Sequence, residues 1–207
     1  MFHNKKSFFI IIFITIIFSP AAGRGTDLKN VKSNPTFYQK AAGFKLALSS
    51  EEMDYFLDNM DYASEILNKY GIHSLRIEST GRDRFYAEDD GGLAGNFKLL
   101  QKKETFREFG GRGVIVSKMI GQISADVIAS VYYEEITDTS IMTDIEFWVL
   151  VNNSFLDFLC RLFKPALNRV LRDKLKFFIN VIQKFGDTVR SNNEDIMKGL
   201  IPAAQAN

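Results

Sequence analysis

Residues 123–151 read ISADVIASVYYEEITDTSIMTDIEFWVLV. Ile123, Ala125, Val127, Ala129, Val131 and Tyr133 alternate with Ser124, Asp126 and Ser130. Across the polar turn Thr137 to Ser140, the residues Ile141, Thr143, Ile145, Phe147, Val149 and Val151 alternate with Asp144 and Glu146. A period of two puts one set of side chains on a buried face and the other in water, as in an antiparallel sheet covered on one side. Both strands exceed the usual length of about 5–6 residues, which predicts a strongly curved sheet.

Beyond Val151 the period lengthens. Phe155, Leu159, Leu162, Phe163, Ala166, Leu167, Val170, Phe178, Ile182, Phe185 and Val189 recur at steps of three and four, predicting one long helical stretch from Ser154 to Arg190. Pro165 should break or kink it near Phe163 and Lys164. This stretch holds eight basic and three acidic side chains, net +5. Arg161, Arg169, Arg172 and Lys176 fall largely opposite its apolar arc.

Upstream, Leu75 and Ile77 alternate with Arg76 and Glu78, and Phe85 and Ala87 follow Gly81. Asp89-Asp90-Gly91-Gly92 predicts a hairpin turn, Phe97 to Phe109 a further extended segment, and Gly110-Gly111-Arg112-Gly113 a loop at the sheet's rim. Phe37 to Leu48 reads as a first strand, with Phe44, Leu46 and Leu48 on one side. Ser49-Ser50-Glu51-Glu52 then offers a cap with acids in the first turn, and Met53, Phe56, Leu57 and Met60 follow at helical spacing. A second short helix carries Ala63, Ile66, Leu67 and Tyr70 and stops at Gly71.

The termini read differently from this body. Lys5 and Lys6, an apolar run from Phe8 to Phe18 broken only by Thr15, and Ser19-Pro20-Ala21-Ala22-Gly23 have the order of a secretory signal peptide, assigned to residues 1–21. The run is shorter than the roughly 20 residues of a bilayer span. Residues 22–35 read as a flexible polar leader, 36–190 as one folded domain, and 191–207 as a flexible tail. A protein so organised is expected to be secreted, to the periplasm in a bacterium.

The passage Val149-Leu150-Val151-Asn152-Asn153, Phe155-Leu156-Asp157 and Leu162-Phe163-Lys164-Pro165-Ala166-Leu167 resembles the sheet-to-helix passage of the START-like (helix-grip) superfamily, in its polyketide cyclase/dehydratase-related branch. Tyr133-Glu134-Glu135 closing its strand, and the Ser49-Ser50-Glu51-Glu52 helix start after strand one, resemble the same family. The resemblance implies an α+β fold: a curved antiparallel sheet wrapped around a long C-terminal helix, two short helices after strand one, and an apolar cavity for a lipid or other hydrophobic ligand. Its motifs are packing motifs, and they carry no chemistry.

Composition narrows the chemistry further. The 207 residues carry 26 basic and 25 acidic side chains, net +1, so no global field points to nucleic acid. One Cys excludes an intrachain disulfide, and with two His it leaves too few ligands for a His- or Cys-based metal centre. No cofactor motif is present: Gly110 to Gly113 lacks the GK[ST] ending of a phosphate-binding loop. His73 is the weak catalytic candidate, with Glu78 or Glu88 as a partner for general-base work. Cys160 reads as a small buried hydrophobe, and Glu134 and Glu135, being successive on a strand, point to opposite faces.

The sequence therefore predicts a non-enzymatic protein that holds a lipid or other hydrophobic molecule. Its walls would be Ile123, Val127, Val131, Ile145, Phe147, Phe163, Leu167, Val170, Phe178 and Ile182. Ala125, Ala129 and Thr143, small among large neighbours, would leave room, and Tyr133 and Thr143 would meet a polar head group. A cyclase, dehydratase or hydrolase-like enzyme acting in the same cavity, or a protein with a filled core, would fit the same pattern. Arg161, Arg169, Arg172 and Lys176 would touch an anionic membrane.

Overall fold

The computed structural model describes residues 28–89, 93–117 and 121–196. The expected signal peptide, residues 1–21, and the tail beyond residue 196 lie outside them. A short helix α1 (Lys29–Ser33) precedes strand β1 (Phe37–Leu46), then helices α2 (Ser50–Asp58) and α3 (Met60–Lys69). Strands β2 (Leu75–Gly81), β3 (Arg84–Asp89), β4 (Leu93–Lys103), β5 (Phe106–Ser117), β6 (Gly121–Thr137) and β7 (Ser140–Val151) follow, then helices α4 (Ser154–Leu162) and α5 (Lys164–Ser191). The seven strands form one antiparallel sheet in the order β1-β7-β6-β5-β4-β3-β2. This is the α+β helix-grip arrangement, with α5 lying across the inner face over β1.

Local chemistry explains where the elements begin and bend. Ser49 caps α2 as a capping box: its Oγ accepts from Glu52 N–H at 3.1 Å, and the Glu52 carboxylate accepts from Ser49 N–H at 2.8 Å. Asn153 caps α4 by accepting from Leu156 N–H at 3.0 Å. Pro165 sits in the first turn of α5, where it lacks no bond it would have made, so the break falls at Phe163. In β1 the register with β7 shifts between Ala41 and Phe44, around Gly43 at φ +68°. That bulge bends the edge strand, and the Asp144 carboxylate holds it by accepting from Gly43 N–H at 2.8 Å.

Four expectations fail, each for a tertiary reason. Gly110 to Gly113 is the middle of β5 and not a rim loop. A Cβ at Gly111 would lie 2.3 Å from Asn96 O and 2.7 Å from Phe97 Cβ, so the tight approach of β4 to β5 requires glycine within a strand. The extended segment 97–109 is two strands joined at Glu104 and Thr105. Residues 28–35 are no free leader, because α1 packs on the outer face with Val31 fully buried and Lys32 paired with Glu108. Residues 193–196 are helical and docked, Ile196 being buried and its carbonyl accepting from the Tyr62 hydroxyl at 2.8 Å.

Two apolar cores hold the fold. The larger joins Ala41, Phe44 and Leu46 of β1, Val131 and Tyr133 of β6, and Ile141 and Ile145 of β7 to Met53, Phe56, Ile66, Leu175, Phe185 and Val189 from α2, α3 and α5. The smaller joins Phe37, Ala125 and Val151 to Cys160, with Leu156, Leu167 and Leu171 against them. Burying such side chains contributes about 1.5–3 kcal/mol each.

Candidate functional site

Register fixes which side chains share the inner face. One row across the sheet runs Ala87, Gly95, Gly113, Ala125 and Val151; the next runs Phe85, Phe97, Gly111, Val127, Val149 and Phe37. The third runs Leu99, Phe109, Ala129, Phe147 and Gln39, and the fourth Arg107, Val131, Ile145 and Ala41. Tyr133, Thr143 and Phe44 make the last. The cores take the β1, β7 and β6 ends of these rows.

On β3 to β5 the inner residues Phe85, Ala87, Phe97 and Phe109 belong to neither core cluster; Phe85, Ala87 and Phe109 are buried and Phe97 is half-buried. Phe85 stacks on Phe97 with centroids 5.3 Å apart, and Phe97 meets Phe109 edge-on at 6.2 Å. Gly95, Gly111 and Gly113 add no side chains between them. The half-buried Ala129, Phe147 and Val149 continue this apolar surface, and Leu167, Leu171, Phe178, Ile179 and Ile182 of α5 are half-buried too. This is the candidate ligand-binding face.

Several expected wall residues hold this position and others do not. Val127, Val131, Ile145 and Phe147 are on the inner face, while the side chains of Ile123 and Val170 lie outside the described residues. Ala125 leaves no room: it is fully buried against Phe37, Val151 and Cys160, because its small side chain lets α4 come close. Thr143 is likewise covered, and of the three small positions only Ala129 is half open. Phe163 is no wall; it sits at the helix break, 58% exposed. The sheet residues that sequence reasoning missed are Phe85, Phe97 and Phe109, whose alternation was visible but was cut by the glycines taken for a loop.

At the α2 end lies a polar cluster that the sequence did not announce. Arg107, 1% exposed, is on the inner face of β5. Its Nη2 donates to Asp54, its Nε to Asp58 at 3.3 Å, and its Nη1 to the Phe106 carbonyl at 3.1 Å. The Tyr133 hydroxyl donates to the same Asp54 carboxylate and to the Glu104 carbonyl at 3.2 Å. Burial, then the bond to Asp54, pushes the Tyr133 phenol well above its ordinary range. Its hydroxyl is therefore spoken for. Thr143 Oγ1, across from Tyr133, is buried with no hydrogen-bond partner among the described residues.

The catalytic candidate is not assembled. His73 rests edge-on against Phe177 at 5.8 Å and Phe178 at 6.3 Å, while Glu78 and Glu88 both pair with Arg76 on the outer face. The buried Cys160 thiol is pushed up to about 11, by burial first and then by Asp157, so at neutral pH it is the protonated, unreactive form. Arg161 is drawn into a pair with Asp157 at 2.8 Å and away from the basic face expected of it; Arg169, Arg172 and Lys176 are exposed. Among the described residues there is no group of three potential metal ligands, and no helix is long and apolar enough to cross a membrane. An open groove of 570 Å³ is lined by Leu28, Thr80, Arg84, Asn96, Phe97, Lys98, Gly110 and Gly111, a mixed polar and apolar lining.

No protein-family model and no curated protein matches this sequence. Solved structures do match its fold. A hypothetical protein of Helicobacter pylori aligns at 9% identity over 82% of this chain and 99% of that one, with a TM-score of 0.50. Norcoclaurine synthase from Thalictrum flavum aligns at 11% identity over 82% and 95%, TM-score 0.44. A START superfamily protein from Mycobacterium smegmatis aligns at 9% identity over 69% and 97%, TM-score 0.34. With its strand order, its two short helices after β1 and its long C-terminal helix, the chain has the helix-grip fold, which it shares with the Helicobacter pylori protein.

Proposed function

We propose that this protein is a carrier that holds a lipid or other hydrophobic molecule between the β3 to β5 half of its sheet and α5, without covalent chemistry. One observation carries this: the aromatic run Phe85, Phe97 and Phe109 lies on the inner face outside both core clusters, with Phe97 only half-buried between the buried Phe85 and Phe109. The half-buried side chains of Phe97, Ala129, Phe147 and Val149 lower their free energy by meeting an apolar guest. The order of charge, apolar run and small residues in 1–21 supports export, and we place the carrier in the periplasm. Native mass spectrometry of gently purified protein should show a co-purifying hydrophobic adduct, and Phe97→Ala should lose it. Adduct-free preparations that also fail to take up hydrophobic dyes would end the carrier proposal.

A further inference from the structure

Helix α4 is apolar on two sides. Leu156 and Cys160 face the smaller core. Asp157 accepts from the buried Thr36 hydroxyl and pairs with Arg161, whose Nη2 also donates to the Asn34 carbonyl at 3.3 Å, so the helix is fastened to the start of β1. Its other side carries Phe155, Phe158 and Leu162, which are 68%, 61% and 60% exposed and spaced by three and four, with Phe163 next to them. Two phenylalanines and a leucine in water on one short, fixed helix, with Phe163 at its end, are an unfilled interaction surface.

What covers it is indicated by the charge that follows. Lys164 adjoins Phe163, and Arg169, Arg172 and Lys176 are exposed on the next turns of α5. Over residues 155–176 there are six basic side chains against Asp157 and Asp173, and Asp157 is already neutralised by Arg161. Aromatic rings flanked by lysine and arginine, with little acid, fit the interface of an anionic bilayer, where rings enter the acyl boundary and cations meet phosphate. A second copy of this chain would set the same basic groups against themselves.

We propose that α4 docks the protein on anionic membranes, with Phe155, Phe158 and Leu162 in the interface and Lys164, Arg169 and Arg172 against lipid phosphate. This deepens the carrier reading and rests on it for its purpose, since α4 packs on the same inner face at Ala125 and Val151. The side opposite is closed by α2 and α3.

Flotation of the purified protein with vesicles tests it. Wild type should float with phosphatidylcholine/phosphatidylglycerol vesicles and not with phosphatidylcholine alone. Binding should weaken about tenfold for each ring removed in Phe155→Ser and Phe158→Ser. Lys164→Gln with Arg169→Gln and Arg172→Gln should abolish the preference for phosphatidylglycerol. All these side chains are exposed, so the variants should melt with wild type, and circular dichroism confirms that they fold. Equal flotation of the ring variants, no flotation of wild type, or a wild-type dimer in sedimentation velocity that Phe158→Ser dissolves would overturn the proposal. Native mass spectrometry of the ring variant separates the two readings. An adduct retained without flotation supports both, whereas a wild type that floats without adduct refutes the carrier alone.

Discussion

Within one continuous sheet, β1, β7 and β6 contribute every strand residue of both cores and are covered by α2, α3, α4 and α5, whereas β3 to β5 present Phe85, Ala87, Phe97 and Phe109 outside either core. The same residue types serve two ends. In the first half they pack against helices from the same chain; in the second Phe85, Ala87 and Phe109 are buried outside those clusters and Phe97 stays half-buried. On the carrier proposal the contrast gives stability to one half and binding to the other, and matched substitutions can break it.

The largest effect belongs to the packed half. Ile141 is fully buried in the larger core, so Ile141→Ala should cost about 3–4 kcal/mol in urea unfolding through lost burial and the cavity left behind. Phe97→Ala removes a bigger side chain from a half-buried position, and should cost about 1–2 kcal/mol while removing the hydrophobic adduct. Equal losses of stability from the two variants would show that the sheet is packed alike throughout.

Next comes the residue that joins the halves. Arg107 fastens β5 to α2 through Asp54 and Asp58. Arg107→Met leaves those carboxylates and the Tyr133 hydroxyl without their cation, and should cost about 3 kcal/mol, the lower end for a broken buried pair because Asp54 is 38% exposed. A cost below about 1 kcal/mol in the same unfolding assay would mean that α2 is held by its apolar side chains alone.

How legible each half was in the sequence follows from how local its causes are. The alternation of Ile123 to Val151, the capping box at Ser49 and the break at Pro165 rest on neighbours within a few residues, and the structure has all three. Gly111 looks like a loop residue because nothing nearby says otherwise; the reason it sits in a strand is Phe97, on the neighbouring strand. Arg107 breaks the apolar phase of Phe109, and its burial makes sense only with Asp54 and Asp58 on α2. Ala125 misleads in the other direction. A small residue on an inner face leaves room only if no helix descends on it, and α4 does. The candidate face was thus half visible: its β6 and β7 wall was in the pattern, and its aromatic β3 to β5 wall was hidden behind glycines.

A smaller effect separates packing from ligand contact inside the filled half. Thr143 Oγ1 is buried without a partner among the described residues, a desolvation penalty that an isosteric methyl would remove. Thr143→Val should therefore raise stability by about 1 kcal/mol and leave the adduct in place. A loss of the adduct in native mass spectra, with stability raised, would instead extend the binding surface to this end.

The smallest effect concerns the bend that lets β1 close the packed half. Asp144 has its carboxyl held below the ordinary range, first by the Gly43 N–H and then by Lys40, against a desolvation that works the other way. A folded-state value below the unfolded one means that the carboxylate form is favoured on folding, so its contribution is complete above about pH 4 and is lost as pH falls through the lowered value. Lys40 is 42% exposed and Asp144 32%, so solvent screening limits the total to about 0.5 kcal/mol. Asp144→Asn should thus be slightly less stable than wild type at neutral pH, and the gap should close in acid. If the gap persists below pH 3, the loss comes from altered hydrogen-bond geometry at Gly43 N–H, and charge has no part in bending the strand.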